Sequence, residues 1–140
     1  MKEKVQVWFI AHNQANELRV LVFQTNFKRG GFFQPVTGKV EPGELIIDAA
    51  LREAEEETGL KNVPKTIPVG YEFQFEDRGQ QNHETVFLIH LDQELTDYKI
   101  SIDPNEHQGY SWDSIETARS KIKFETNQTG LAHALQKLNA

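Results

Sequence analysis

Runs rich in β-branched and aromatic residues recur along the chain, one of them with a two-residue hydrophobic period, and a strongly helical run interrupts them. Residues 4 to 12 (KVQVWFIAH) and Leu18 to Gln24 (LRVLVFQ) are rich in β-branched and aromatic types, and the polar stretch from His12 to Asn16 separates them. This predicts a hairpin. Val69, Tyr71, Phe73 and Phe75 alternate with Gly70, Glu72, Gln74 and Glu76, the pattern of a half-buried strand. Glu84 to Leu91 (ETVFLIHL) returns as its partner after a turn over Asp77 to Asn82. Asp97 to Ile102 is expected as a short edge strand, and Asp103-Pro104-Asn105 as a turn. Leu45 to Thr58 carries strong helix formers and stops at Gly59, a residue suited to the left-handed conformation that closes a helix. Further helices are expected over Asp113 to Lys121 and over Thr126 to Leu138, where Leu131, Leu135 and Leu138 can pack on a sheet. The order of strands, helix, strands, helix predicts an α/β (α+β) fold, a mixed β-sheet sandwiched between helices, with residues 1–140 as one domain.

Within the first helix, at about 100° per residue, Ile47, Ala50, Leu51 and Ala54 fall on one arc, expected to enter a core. Glu53, Glu56 and Glu57 share a neighbouring arc. Glu55 to Glu57 sit in the last turn, where the helix dipole disfavours negative charge, and Glu53/Glu57 is a like-charged i,i+4 pair costing a few tenths of a kcal/mol. A purely structural helix gains nothing from this. Hard divalent cations do account for it, because Mg²⁺ takes oxygen ligands and is commonly shared between carboxylates and substrate phosphates. A solvated acidic face is the plain alternative.

The spacing decides between them. Gly38, five residues, Glu44, seven residues, then Arg52-Glu53-Ala54-Glu55-Glu56-Glu57-Thr58-Gly59-Leu60 fits the signature of the Nudix hydrolases position for position. A chance match is on the order of one in 10⁸ per start site at average residue frequencies. The resemblance implies the Nudix fold, cleavage of a diphosphate linked to another moiety, and a Mg²⁺ cofactor for which Mn²⁺ can substitute. It also implies the Gly38 carbonyl, Glu53 and Glu57 as metal ligands, Glu56 as a ligand or proton acceptor, and Arg52 as a guanidinium that orients the glutamates. Lys39 is a candidate phosphate contact. Lys28 and Arg29, in the basic loop Asn26 to Gly31, can reach a polyphosphate or remain solvated loop cations.

Outside that box, Glu106-His107-Gln108-x-Tyr110-x-Trp112 resembles the Glu-His-x-x-Tyr-x-Trp segment of two Nudix groups. One group is the dihydroneopterin triphosphate or dATP pyrophosphohydrolases, the other the asymmetric diadenosine tetraphosphate hydrolases. The resemblance makes Glu106 a candidate fourth metal ligand or general base, and Tyr110 a candidate substrate contact. Phe33-Gln34-x-Val36-Thr37-Gly38 resembles the Phe-Trp-Gln-x-Val-Thr-Gly of the triphosphate enzymes, with Phe33 in place of tryptophan, so Phe33 and Gln34 are substrate-binding candidates. Tyr71, Phe73 and Phe75 can stack on a base, although core packing is the first expectation for each. The expected function is a Mg-dependent pyrophosphohydrolase turning a nucleoside triphosphate-like substrate into monophosphate and pyrophosphate. The alternatives are an asymmetric diadenosine tetraphosphate hydrolase releasing ATP and AMP, an RNA 5′-pyrophosphohydrolase, and a non-catalytic nucleotide-sensing module.

Composition narrows the partners. The chain is 38% hydrophobic and 26% charged, a globular balance, and its formal charge of −6 argues against a stable nucleic-acid partner. With no cysteine it can form neither a disulfide framework nor a thiolate zinc site, which fits a cytoplasmic protein. The apolar run Val7 to Ala11 is too short for a secretory core or a membrane span, so no membrane association is expected. His83 and His90 have no partner at metal-ligand spacing and are expected to be structural.

Overall fold

The computed structural model describes residues 1–139. The predicted hairpin forms from β1 (Lys2–His12) and β2 (Leu18–Thr25), antiparallel with Ile10 opposite Val20 and His12 opposite Leu18. Two short strands come next, β3 (Phe33–Gln34) and β4 (Val36–Lys39), and then the helix α1 (Ile46–Thr58). A second hairpin, β5 (Ile67–Asp77) and β6 (Gln80–Glu94), precedes β7 (His107–Asp113), α2 (Ile115–Lys121) and α3 (Glu125–Leu138). All seven strands join one sheet in the order β3-β2-β1-β6-β5, with β4 paired to β1 and β7 to β2. β1 and β6 run parallel and the other pairs antiparallel, so the sheet is mixed as expected.

The period of two in β1 sorts its side chains onto the two faces. Val5, Val7, Phe9 and Ala11 pack in the cluster that contains Ala49, Ala50 and Ala54 of α1. Trp8 and Ile10 pack in the cluster that contains Leu131 and Ala134 of α3. The face of α1 turned to the sheet is thus made of alanines, which brings the helix backbone close to the strands. Helix α1 ends at Gly59, whose φ of 73° is left-handed and whose N–H donates to Glu55 O at 2.9 Å.

Several boundaries differ from the sequence expectation. Ile47 is exposed and Ala49 buried, because α1 is rotated so that Glu57 as well as Ala50 and Ala54 turns inward. The turn of the second hairpin is only Arg78-Gly79, both with positive φ, so β6 begins at Gln80 and is longer than its apolar stretch. Asp97 to Ile102 is not a strand. A short 3₁₀ turn covers Leu95–Asp97, and the chain beyond it is docked by Ile100 on the core and by the Ser101 N–H on Thr58 O at 2.8 Å. Side chains packed on the core, Ile100 with Leu95, Tyr98 and Ile102 beside it, and single hydrogen bonds replace a ladder there. No helix among the described residues is long and apolar enough to cross a membrane.

His83 is structural, as expected, and its partners are visible. Its Nδ1 lies 2.6 Å from Glu3 Oε1 and its Nε2 3.3 Å from Glu72 Oε1, joining β1, β6 and β5. The Glu3 hydrogen bond raises its pKa above 6.5 against an opposing effect of burial. A raised histidine pKa means that the stabilisation is fully present below the unfolded value and fades as pH rises through the folded one. The melting temperature of His83→Gln should therefore lie below that of wild type near pH 5, and the gap should close above neutrality. With exposed partners the gap is expected to correspond to less than about 1 kcal/mol. A pH-independent gap would remove the pair from the account.

Candidate active site

The loop before α1 is shaped by its own chemistry. Pro42-Gly43 makes a turn in which Gly43 takes a φ of 79°, and the Glu44 N–H donates to Glu41 O at 3.0 Å. Glu44 then serves as an anchor. Its Oε1 accepts from the Glu41 N–H at 2.9 Å, and Arg52 grips both its oxygens, Nε to Oε2 at 2.8 Å and Nη2 to Oε1 at 3.0 Å. This bidentate pair holds the Glu44 carboxyl down at about 2 and raises the Arg52 guanidinium above its ordinary value. The same Arg52 donates to Lys39 O at 2.8 Å, to Glu53 Oε1 at 2.9 Å and to Glu56 Oε2 at 3.3 Å. The orienting role implied for Arg52 thus has a geometry, and its main partner is Glu44, eight positions back, rather than a neighbour one turn away.

Gly38 supplies the opposite wall. A Cβ at this position would overlap the Glu53 carboxyl, so only glycine lets β4 lie against α1 here. Glu53 and Glu57 both turn into the cleft, their side chains 15% and 8% exposed. Burial, followed by the negative charges of Glu53 and Glu106, pushes the Glu57 carboxyl up to about 9. Burial also raises Glu53, against the hydrogen bond from Arg52. Behind them His107 is fully enclosed, its ring tilted by 36° against Phe23 at 4.8 Å between ring centres, with its Nε2 3.8 Å from Glu57 Oε1. Neither ring nitrogen has a hydrogen-bond partner among the described residues, and burial lowers the His107 pKa, so it stands as a neutral ring.

Gly38, Lys39, Glu53, Glu57 and Glu106 line one cleft of about 240 Å³, together with Lys4 and Arg29. The first five were predicted from sequence. Lys4, near the N-terminus, carried no signal, and Arg29 is the loop cation that reaches the acids, its Nη1 3.9 Å from Glu106 Oε1. Asn26 ties the two loops that meet here. Its side chain donates to Asn105 O at 2.7 Å and accepts from the Arg29 N–H at 3.2 Å, while its own N–H donates to Glu106 O at 3.1 Å.

The remaining candidates lie elsewhere. Glu56 points outward, its side chain 59% exposed, so the arc it shares with Glu53 and Glu57 is divided between rim and cleft. Phe33 and Tyr110 line a separate hollow with Gln24 and Lys121, where the Lys121 ammonium sits 5.1 Å from the Phe33 ring. Gln34 lines a cavity of about 420 Å³ with Phe32, Phe73, Phe75, Phe124 and Asn127, and Lys4 and Thr37 belong to both this cavity and the cleft. Tyr71 stacks on His133 of α3 at 4.8 Å, which makes it packing. Phe32, Phe124, Asn127 and Glu84 carried no site assignment from sequence. Asn127 lies in the tail segment Thr126-Asn127-Gln128, which resembles that of the triphosphate enzymes, and Glu84 is an acid on the same parity as Val86 and Leu88.

The donors are all hard oxygens, from carboxylates and a backbone carbonyl, the set that suits Mg²⁺ or Mn²⁺. Among the described residues no three acidic or histidine side chains stand gathered around one point. Glu53, Glu57 and Glu106 nonetheless line one cleft with Gly38, and burial together with the neighbouring negative charges works against a bare anion at Glu57. The residues therefore fit a divalent ion.

The arrangement has counterparts. The family model described as NUDIX domain matches residues 2–136. The asymmetrical bis(5′-nucleosyl)-tetraphosphatase of Mus musculus is 34% identical over 105 residues, 74% of this chain and 70% of that protein. An octanoyltransferase of Myxococcus xanthus is 29% identical over 133 residues, 94% of this chain, which spans only 35% of that relative's length. Among solved structures, the dihydroneopterin triphosphate pyrophosphohydrolase of E. coli superposes with a TM-score of 0.74 at 27% identity, covering 99% of this chain and 96% of that one.

Proposed function

This chain belongs to the Nudix family and is a hydrolase of phosphorus-containing acid anhydrides, and from that premise we propose that it is a Mg²⁺-dependent pyrophosphohydrolase of a nucleoside triphosphate-like substrate, releasing monophosphate and pyrophosphate. The observation that carries the reading is the adjacency of two spaces. A cleft with acids and cations and an aromatic cavity share Lys4 and Thr37 in their walls, so phosphates and a ring have neighbouring places.

In this reading Glu53, Glu57 and the Gly38 carbonyl would hold the metal, with Glu106 as a further ligand or the general base, while Glu56, exposed and bonded to Arg52 outside the cleft, would have to turn inward to act as ligand or proton acceptor. Bound there, the metal neutralises phosphoryl oxygens and lowers the pKa of an attacking water. Arg52 keeps Glu53 and Glu56 in place through its grip on Glu44. Arg29, Lys39 and Lys4 bind phosphate oxygens, and Arg29 exchanges its long contact with Glu106 for the substrate. Glu106 accepts the proton of the water, and the protein fixes one direction of attack on one phosphorus.

The 34% identity to the mouse tetraphosphatase favours a second reading, a dinucleoside tetraphosphate cleaved to ATP and AMP. Product analysis separates the two. Incubated with Mg²⁺ and a panel of nucleoside triphosphates, dihydroneopterin triphosphate and diadenosine tetraphosphate, the protein should release pyrophosphate and a monophosphate from a triphosphate. In ¹⁸O-labelled water the label should enter one product only. Faster turnover of the tetraphosphate would select the second reading, and no cleavage of any polyphosphate with Mg²⁺ or Mn²⁺ would leave a ligand-sensing module.

A further inference from the structure

The aromatic cavity beside the cleft is built around a buried acid. Glu84 is 5% exposed and lines that cavity from β6. It is fixed from behind by a chain of side chains. The Trp8 indole N–H, which can only donate, gives its proton to Gln6 Oε1 at 2.7 Å. That sets the Gln6 amide so that Nε2 donates to Glu84 Oε2 at 2.9 Å. Gly130 of α3 closes the rear, since a Cβ there would overlap Gln6 Oε1. Glu84 Oε1 has no hydrogen-bond donor among the described residues. Burial raises the Glu84 pKa, opposed by the Gln6 hydrogen bond and by the charge of Lys4. A core gains nothing from a carboxyl enclosed in this way, whereas a ligand with two hydrogen-bond donors would satisfy it.

We infer that Glu84 reads the bound ring, selecting one whose edge presents an adjacent N–H and NH₂, the 2-amino-4-oxo pyrimidine edge shared by guanine and pterins. This rests on the reading of the neighbouring cleft as a polyphosphate site. A carboxylate has only acceptors, and two parallel donors match it bidentately. Adenine sets an acceptor nitrogen beside its amino group, so one of the two contacts becomes lone pair against lone pair. The remaining lining agrees. The buried amides of Gln34 and Asn127 offer donors for the ring's carbonyl oxygen, and Phe32 and Phe124, edge to face at 5.0 Å, offer ring surface for stacking. Lys4 and Thr37, common to cavity and cleft, lead from the ring to its phosphates.

The test is calorimetric titration of the whole chain with GMP, neopterin monophosphate, IMP and AMP, then the same series on Glu84→Gln. GMP or neopterin monophosphate should bind about 10 to 100-fold tighter than AMP, and IMP, which lacks the 2-amino group, should fall between. Whichever of the first two binds more tightly identifies the source of the edge. Glutamine keeps the shape but replaces one acceptor with a donor, a pair that suits adenine's acceptor nitrogen and amino group, so the preference over AMP should shrink to within about 3-fold or reverse while AMP binding holds or tightens. AMP equal to or tighter than both 2-amino ligands, no binding of any ligand, or a uniform loss of all ligands in Glu84→Gln would overturn the inference. Triphosphate cleavage without a 2-amino preference would remove Glu84 alone. A 2-amino preference without polyphosphate cleavage would remove the hydrolase reading alone.

Discussion

Glu57→Gln is expected to lower kcat by several orders of magnitude while leaving the metal-free fold at least as stable as wild type. The Glu57 side chain is 8% exposed, and both Glu53 and Glu106 press their charges on it. Glutamine fills the same space, so it removes a crowded charge without opening a cavity. What it cannot do is share a cation with its neighbours. Melting curves should therefore show wild type gaining stability from Mg²⁺ and the variant gaining less, because a ligand stabilises only the state that binds it. If the variant keeps more than about a tenth of wild-type turnover at saturating Mg²⁺, the barrier has risen by less than about 1.4 kcal/mol and Glu57 does not hold the metal.

Glu106→Gln should reduce kcat by roughly 10² to 10⁴ with KM little changed, the signature of an interaction that matters at the transition state rather than in binding. Glu106 sits on a loop, its side chain half exposed, and its place depends on the backbone bond from Asn26 and the long pair with Arg29. Among the loop acids only Glu41 shares its place at the cleft. The acidic limb of the pH-rate profile should move in the variant. An unchanged rate with an unchanged profile would return Glu106 to the surface, and a rise in KM alone would make it a substrate contact.

Local sequence carried much of this protein by itself. The β-branched and aromatic runs of β1 and β2, the alternation in β5, the Pro-Gly turn before α1 and the glycine that ends it are short-range signals, and each produced the element expected. The fixed spacing from Gly38 to Glu57 named the family and placed Gly38, Lys39, Glu53 and Glu57 at the cleft, since residues on one loop and one helix keep their relative places whatever the rest of the chain does. The facing of α1 was harder to read. Apolar content placed Ile47 inward, but a sheet packed closely on a helix favours alanine at the contact, so Ala49 went in and Ile47 out.

Only the tertiary structure decided what meets across the sheet. The Arg52 grip on Glu44 needs the loop folded back over the helix, and the split between an inward Glu57 and an outward Glu56 needs the rotation of α1 against β4. The aromatic cavity draws on β1, β3, β5, β6 and the start of α3, residues as far apart in sequence as Lys4 and Asn127, and no local period links them. Glu84 shows the limit most plainly. Its parity marked it as inward-facing, but whether an inward acid is an error, an ion-pair partner or a ring reader depends on Gln6 and Trp8 behind it and on phenylalanines around it. The parallel β1–β6 pairing and the seat of α3 bring those together, because burial and hydrogen-bond partnership belong to the fold as a whole rather than to any stretch of sequence.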